Sequence, residues 1–196
     1  KPDWAVVRLE VVKPLVEVGG LPMGARVAGV LAGAGADPVV LVGASATVGT
    51  ALGLPVVADR WPGEGPLGGI ATAATWARAR PGVERVVVVA CDQVAVTPAT
   101  VAALVEALGR SEGDEVGRPV GAVVRTADGR RHPFPSVWRT AAAEDLAALV
   151  AAGERRADAA FALGVVAVER PTGELVDLDT PEDVVRHQGS DEPPGP

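Results

Sequence analysis

Short runs of β-branched and apolar residues alternate with Ala-rich stretches along almost the whole chain. The runs are Trp4 to Val7, Pro38 to Val42, Leu54 to Val57, Arg85 to Ala90, Val120 to Arg125, Phe134 to Trp138 and Val165 to Val168. Helices are predicted between them at about Pro22 to Gly35, Leu67 to Arg80, Pro98 to Gly109, Thr140 to Ala152 and Pro181 to His187, most opened by Pro, Thr or Gly and closed by Gly. This alternation predicts an α/β fold, a mainly parallel sheet with helices on both faces. The four consecutive valines Val86 to Val89 suit a central strand buried on both sides. Ligands of open α/β sheets bind beyond the carboxyl ends of the strands, so Cys91, Asp92 and Gln93 fall where a site is expected.

Length and composition narrow this picture. With 196 residues, 48% apolar and 22% charged, the chain can bury one good core, and a single domain over residues 1–188 is expected. Polar residues Gly109 to Pro119 read as a mobile loop, and the Pro- and Gly-rich residues 189–196 as a disordered tail. A net charge of -7 argues against nucleic-acid and anionic-membrane partners, which are held by clustered cations. A small anionic ligand needs only one or two positive groups. The lone cysteine, Cys91, lies in an apolar run and is expected in the core, which fits a reducing compartment. No apolar stretch is long enough to span a bilayer and no signal-peptide pattern opens the chain, so a cytoplasmic location is expected. The 18 basic residues comprise 16 Arg and two Lys, Lys1 and Lys13. In a chain that uses Arg for ordinary surface charge, the internal Lys13 marks a candidate site for a compact ammonium.

Asp92 is the sharpest candidate, because a carboxylate directly after a buried strand must be solvated, hydrogen-bonded or bound to a cation. A cap feeding Thr97 and Pro98 competes with a magnesium ligand; the second is favoured, since magnesium takes one or two carboxylates and fills its shell with phosphate and water oxygens. Gly63-Glu64-Gly65-Pro66-Leu67-Gly68-Gly69 precedes a helix of small residues, which allows close approach of a ligand and is equally ordinary turn chemistry. Asp59 also follows a strand, as a ligand or as a loop cap. Arg155 and Arg156 fit either a bidentate phosphate clamp or a solvated helix start. His132, in a turn before a strand, reads first as a structural residue. Asp177 and Asp179 alternate on an extended segment and point the same way, while Glu182 and Asp183 suit the first turn of a helix.

Taken together these pieces resemble the molybdenum cofactor guanylyltransferase family, within the nucleotidyltransferases that share a three-layer α/β/α, Rossmann-like sheet. Lys13-Pro-Leu-Val-Glu-Val-Gly-Gly20 resembles the segment after the family's signature loop, where the Lys meets nucleotide phosphates. Asp59 with Gly65-Pro-Leu-Gly-Gly69 is similar to its guanine-nucleotide region, and Val88-Val-Ala-Cys-Asp92 to the strand that delivers the magnesium aspartate. Ala152-Gly-Glu-Arg-Arg156 and Asp177-Leu-Asp-Thr-Pro-Glu-Asp183 resemble the motifs near the pterin side. The resemblance implies Mg2+ on Asp92, nucleotide contacts from Lys13, Asp59, Gly65, Gly69 and Asp92, and acceptor contacts from Arg156, Asp177 and Asp179. It implies GTP and molybdopterin as substrates, with molybdoenzymes or their chaperones downstream.

Three departures bear on that implication. The family opens with a strand and a glycine-rich loop that wraps phosphates with backbone amides. Here Ala5-Val-Val7 runs into Arg8-Leu-Glu-Val-Val-Lys13 with no glycine, and Glu10 and Val12 stand where Gly and Asp are usual. Either the protein has lost its phosphate loop, or a loop between Val7 and Arg8 lies outside this sequence; the intact strand and Lys segment favour the second. Val94 replaces a common Pro, and Asp177 and Asp179 replace frequent Asn residues, as in related cytidylyltransferases, which makes Asp179 a candidate second magnesium ligand. A molybdopterin cytidylyltransferase, a sugar-phosphate nucleotidylyltransferase and a non-catalytic binding module therefore stand as alternatives.

Overall fold

In the computed structural model, which describes residues 4–9, 13–110, 117–176, 178 and 183, one seven-stranded sheet carries helices on both faces. In chain order the elements are β1 (Trp4–Leu9), a two-stranded hairpin of β2 (Glu17–Val18) and β3 (Leu21–Pro22), α1 (Met23–Gly33), β4 (Val39–Val42), α2 (Ala46–Leu52), β5 (Val56–Val57), α3 (Gly65–Arg78), β6 (Arg85–Ala90), α4 (Pro98–Arg110), β7 (Gly121–Arg125), β8 (Arg131–Arg139), α5 (Ala143–Ala151) and β9 (Val165–Glu169). The sheet order is β5-β4-β1-β6-β8-β7-β9. β8 runs antiparallel to both neighbours and the other pairings are parallel, so the sheet is mixed. The predicted loop around Gly109 to Pro119 lies largely outside the described residues. The predicted helix over Pro181 to His187 and the tail over residues 189–196 also fall outside them, apart from Asp183.

The valine run forms the middle of β6, with Val86 to Val89 fully buried. Their alternation divides the core: Val86 and Val88 face α3 and α5, and Val87 and Val89 face α1 and α4. Burial on both faces is what a continuous apolar strand requires. α3 is buried from Leu67 to Ala74 because it lies between the sheet and α5, and its small Gly and Ala residues let it approach both. α2, unpredicted, is set by its ends: Ser45 accepts from the Val48 amide at 3.3 Å, and Gly53 closes it in the left-handed conformation.

β1 continues through the point where an inserted loop was expected. Val7 pairs with Val40 and Val88, Arg8 with Leu41 and Val89, and Leu9 with Val42 and Ala90. A strand that stopped at Val7 would leave those last two positions unpaired. Within this sequence Val7 and Arg8 are consecutive positions of one ladder. No helix among the described residues is long and apolar enough to cross a membrane.

Trp138 fills the core beneath β7. Its ring is fully buried, and its indole N–H donates to Ser136 Oγ at 2.9 Å. Gly121 makes room for it, since a Cβ there would stand 2.7 Å from the ring. Gly121→Ala is expected to destabilise the fold by about 1–3 kcal/mol through overpacking, read as a lower urea midpoint at unchanged slope.

Candidate active site

Parallel strands bring their carboxyl ends to one edge of the sheet, and the candidate residues gather there. The chain leaves β1 and reaches Lys13 at the start of a single 3-10 turn, Lys13–Leu15. At the end of the neighbouring β6 stands Asp92. The Lys13 ammonium donates to Asp92 Oδ2 at 3.0 Å, with side-chain exposures of 32% and 12%. A carboxylate that buried needs such a partner, and the two residues singled out in the sequence thus form one unit. Lys13 takes Oδ2, and Oδ1 has no partner among the described residues.

The backbone around Asp92 is fixed from three sides. Gln93 N–H donates to Ala90 O at 3.3 Å and Val94 N–H to Asp92 O at 2.9 Å, closing a tight turn. Gln93 Nε2 donates to Phe134 O at 2.9 Å, tying the turn to β8. Leu178 N–H donates to Asp92 O at 3.2 Å, and its side chain packs with Val18, Met23 and Val94. The residue between Asp177 and Asp179 is thereby anchored on the Asp92 turn, while Asp177 and Asp179 themselves lie outside the described residues. Cys91 is buried in the core as expected.

On the β4–β5 side, Asp59 accepts with Oδ1 from Thr72 Oγ1 at 2.8 Å and from Trp61 N–H at 3.0 Å. That satisfies a loop cap. Its Oδ2 has no partner among the described residues and faces Gly43, where a Cβ would stand 3.9 Å from that oxygen. Thr72, thirteen positions on, carries no local sequence signal for this pairing.

The helix start at Gly65 is occupied by protein. Gly65 adopts φ +70°, a Cβ there would meet Arg155 O at 2.8 Å, and Leu67 N–H donates to the same carbonyl at 3.2 Å. Close backbone docking accounts for Gly65, and Gly69 is buried one turn on. Arg155 pairs with Glu64, whereas Arg156 forms a bidentate pair with Asp158, Nε to Oδ1 at 3.0 Å and a terminal nitrogen to Oδ2 at 2.6 Å. The two arginines are thus held by different carboxylates and do not form one fork.

Among the described residues no three His, Cys, Asp or Glu side chains converge on a point that could hold a metal. Asp92 offers a carboxylate oxygen not taken by Lys13, a donor that suits a hard divalent cation completed by phosphate and water oxygens.

Residues 7–167 match the MobA-like NTP transferase domain. A molybdenum cofactor guanylyltransferase from Rhodobacter capsulatus is 38% identical over 180 residues, covering 89% of this chain and 85% of that protein. The chain belongs to the MobA-like NTP transferase family. Two solved structures share the fold. Molybdopterin-guanine dinucleotide biosynthesis protein A from Archaeoglobus fulgidus superposes with a TM-score of 0.69 at 18% identity, over 95% of this chain and 97% of that one. Rv0371c from Mycobacterium tuberculosis, in complex with manganese, superposes with a TM-score of 0.67 at 21% identity, over 95% and 97%. The family match begins at Val7 and so includes both Lys13 and the glycine-free stretch that precedes it.

Proposed function

We propose that this MobA-like protein transfers GMP from GTP to the terminal phosphate of molybdopterin and releases pyrophosphate. The observation that carries the reading is the Lys13–Asp92 pair at the carboxyl edge of β1 and β6, in a chain 38% identical to a molybdenum cofactor guanylyltransferase. A phosphate oxygen of the acceptor attacks the α-phosphorus of GTP in line, the new P–O bond forms, and the bond to the β-phosphate oxygen breaks. Such a transfer asks the protein chiefly for positioning and charge neutralisation.

Asp92 Oδ1 would hold Mg2+ together with nucleotide phosphate oxygens, and the ion supplies neutralisation of charge on the α- and β-phosphates. Lys13 adds a positive charge that the protein itself holds at the same place. Asp59 Oδ2, beside Gly43, offers a carboxylate for the nucleoside on the β4–β5 side, with Gly65 and Gly69 in the framework of α3. Acceptor contacts are assigned to Asp177, Asp179 and Arg156, the last after exchange of its pairing with Asp158. Molybdoenzymes or their chaperones would receive the product in the cytoplasm.

Incubation with molybdopterin and GTP, CTP or UTP, followed by pyrophosphate release and product chromatography, tests the reading. A guanine dinucleotide product supports it, and a cytosine dinucleotide moves the protein to the cytidylyltransferases. The glycine-free passage from Val7 to Lys13 favours a second reading, a module that binds nucleotide without transferring it; nucleotide binding with no pyrophosphate from any of the three would select it.

A further inference from the structure

The β7–β8 hairpin contains a hydrogen-bonded chain that the proposed transfer does not use. Thr126 N–H donates to Arg130 O at 2.9 Å, and Gly129, at φ +83°, closes the turn by donating to Thr126 O at 2.8 Å. Inside it, Thr126 Oγ1 lies 2.5 Å from Asp128 Oδ1, 3.2 Å from Arg130 O and 3.1 Å from His132 Nε2. A hydroxyl has one proton to donate. The ionised Asp128 carboxylate, held below the ordinary carboxyl range first by this hydrogen bond, accepts that proton at the shortest of the three distances. His132 Nε2 must then be the donor to Thr126 Oγ1. The proton is fixed on Nε2, and Nδ1 is left as an acceptor with no partner among the described residues.

The ring is also kept neutral. Burial, and then the nearby Arg130 charge, hold His132 below the ordinary imidazole value against a smaller opposing effect of Asp128. Its position is set by the sheet. β7 is parallel to β9 and antiparallel to β8, and β8 is antiparallel to β6, so the hairpin stands at the edge where Asp92 follows β6. The β7–β8 register shifts between Val123 and Val124: Val123 pairs with Ser136 and Val124 with His132, leaving Pro133 to Pro135 bulged from β8. The carbonyl of the bulged Phe134 is the one that accepts from Gln93, next to Asp92. Arg131 lies over the Phe161 ring, 4.9 Å from its centroid, and steadies the strand start. A bulge beside a site commonly re-aims a side chain, and here it sets His132 on the side of Asp92 away from Asp59.

We propose that His132 is a specificity-determining residue for the acceptor, its Nδ1 accepting a hydrogen bond from an N–H group of the acceptor's heterocycle, with Thr126 and Asp128 as positioning residues that hold the tautomer. This rests on the reading that a heterocyclic phosphate is the acceptor. Two isosteric replacements separate contact from scaffolding. His132→Gln keeps an N–H where Nε2 stands and removes the acceptor at Nδ1; His132→Asn keeps an acceptor near Nδ1 and removes the bond to Thr126.

The experiment is equilibrium binding of molybdopterin, followed by its own pterin fluorescence under anaerobic conditions, with GTP binding and pyrophosphate release measured on the same samples. His132→Gln is expected to weaken molybdopterin roughly tenfold, the scale of one lost hydrogen bond, while His132→Asn stays within about threefold and both bind GTP as the parent does. The reverse order, or unchanged molybdopterin binding by a folded His132→Gln protein, overturns the proposal, as does a parent protein that binds no molybdopterin. Binding with the expected order but no pyrophosphate release supports His132 as a contact and overturns the transfer reading instead.

Discussion

Asp92→Asn is expected to abolish nucleotide transfer and to leave the fold in place. The substitution preserves the shape of the side chain but removes the negative charge on which both Lys13 and a divalent cation depend, so kcat falls by at least about 10²–10³-fold, the scale of losing one preorganised electrostatic group. The backbone turn around residue 92 is held by Ala90, Val94 and Leu178 through main-chain groups that the change does not touch. Circular dichroism and the thermal midpoint therefore stay close to those of the parent while pyrophosphate release disappears. Normal turnover in the variant would remove Asp92 from the chemistry.

Lys13→Met separates charge from packing at the partner position. Met keeps the length of the stem and removes the ammonium, so charge on the α- and β-phosphates is left less neutralised and kcat drops by about 10²-fold. The partly buried Asp92 also loses the donor to Oδ2, at a cost to stability of about 1–3 kcal/mol for an unsatisfied group. Because the two side chains share one contact, the double variant is expected to be scarcely worse than Asp92→Asn alone. Additive losses in a double-mutant cycle would show that the two act independently.

Much of this arrangement is legible in the residues. A strand of four valines can be stable only between two apolar layers, so its position at the centre of the sheet and the place of Asp92 at its carboxyl end follow from pattern alone. The scarcity of lysine in an arginine-rich chain marks Lys13, and the contact with Asp92 joins positions 79 residues apart that no local signal connects. The antiparallel direction of β8 follows from its short connection to β7. Five residues separate Arg125 from Arg131, including Asp128-Gly129, and that is too short for a crossover between parallel strands. β2, β3 and β5 span two residues each and have no period to detect, and α2 is a seven-residue helix of mostly small residues with a glycine inside, visible only through Ser45 and Gly53 at its ends. Sequence leaves Arg156 open between a phosphate clamp and a solvated helix start, because its local partner, Asp158, pairs with it only once the chain turns into the 3-10 helix that follows.

The reversed strand has a further meaning for how such a protein changes over time. In a wholly parallel sheet every residue at the reactive edge arrives on a crossover, and altering one disturbs a helix and the core beneath it. With β8 reversed, one flank of the edge is furnished by a five-residue hairpin whose length and side chains can vary while both helical layers stay as they are. Recognition of one substrate can then drift under selection independently of the machinery that handles the other, and a single framework can be retuned to new acceptors by exchanging one turn.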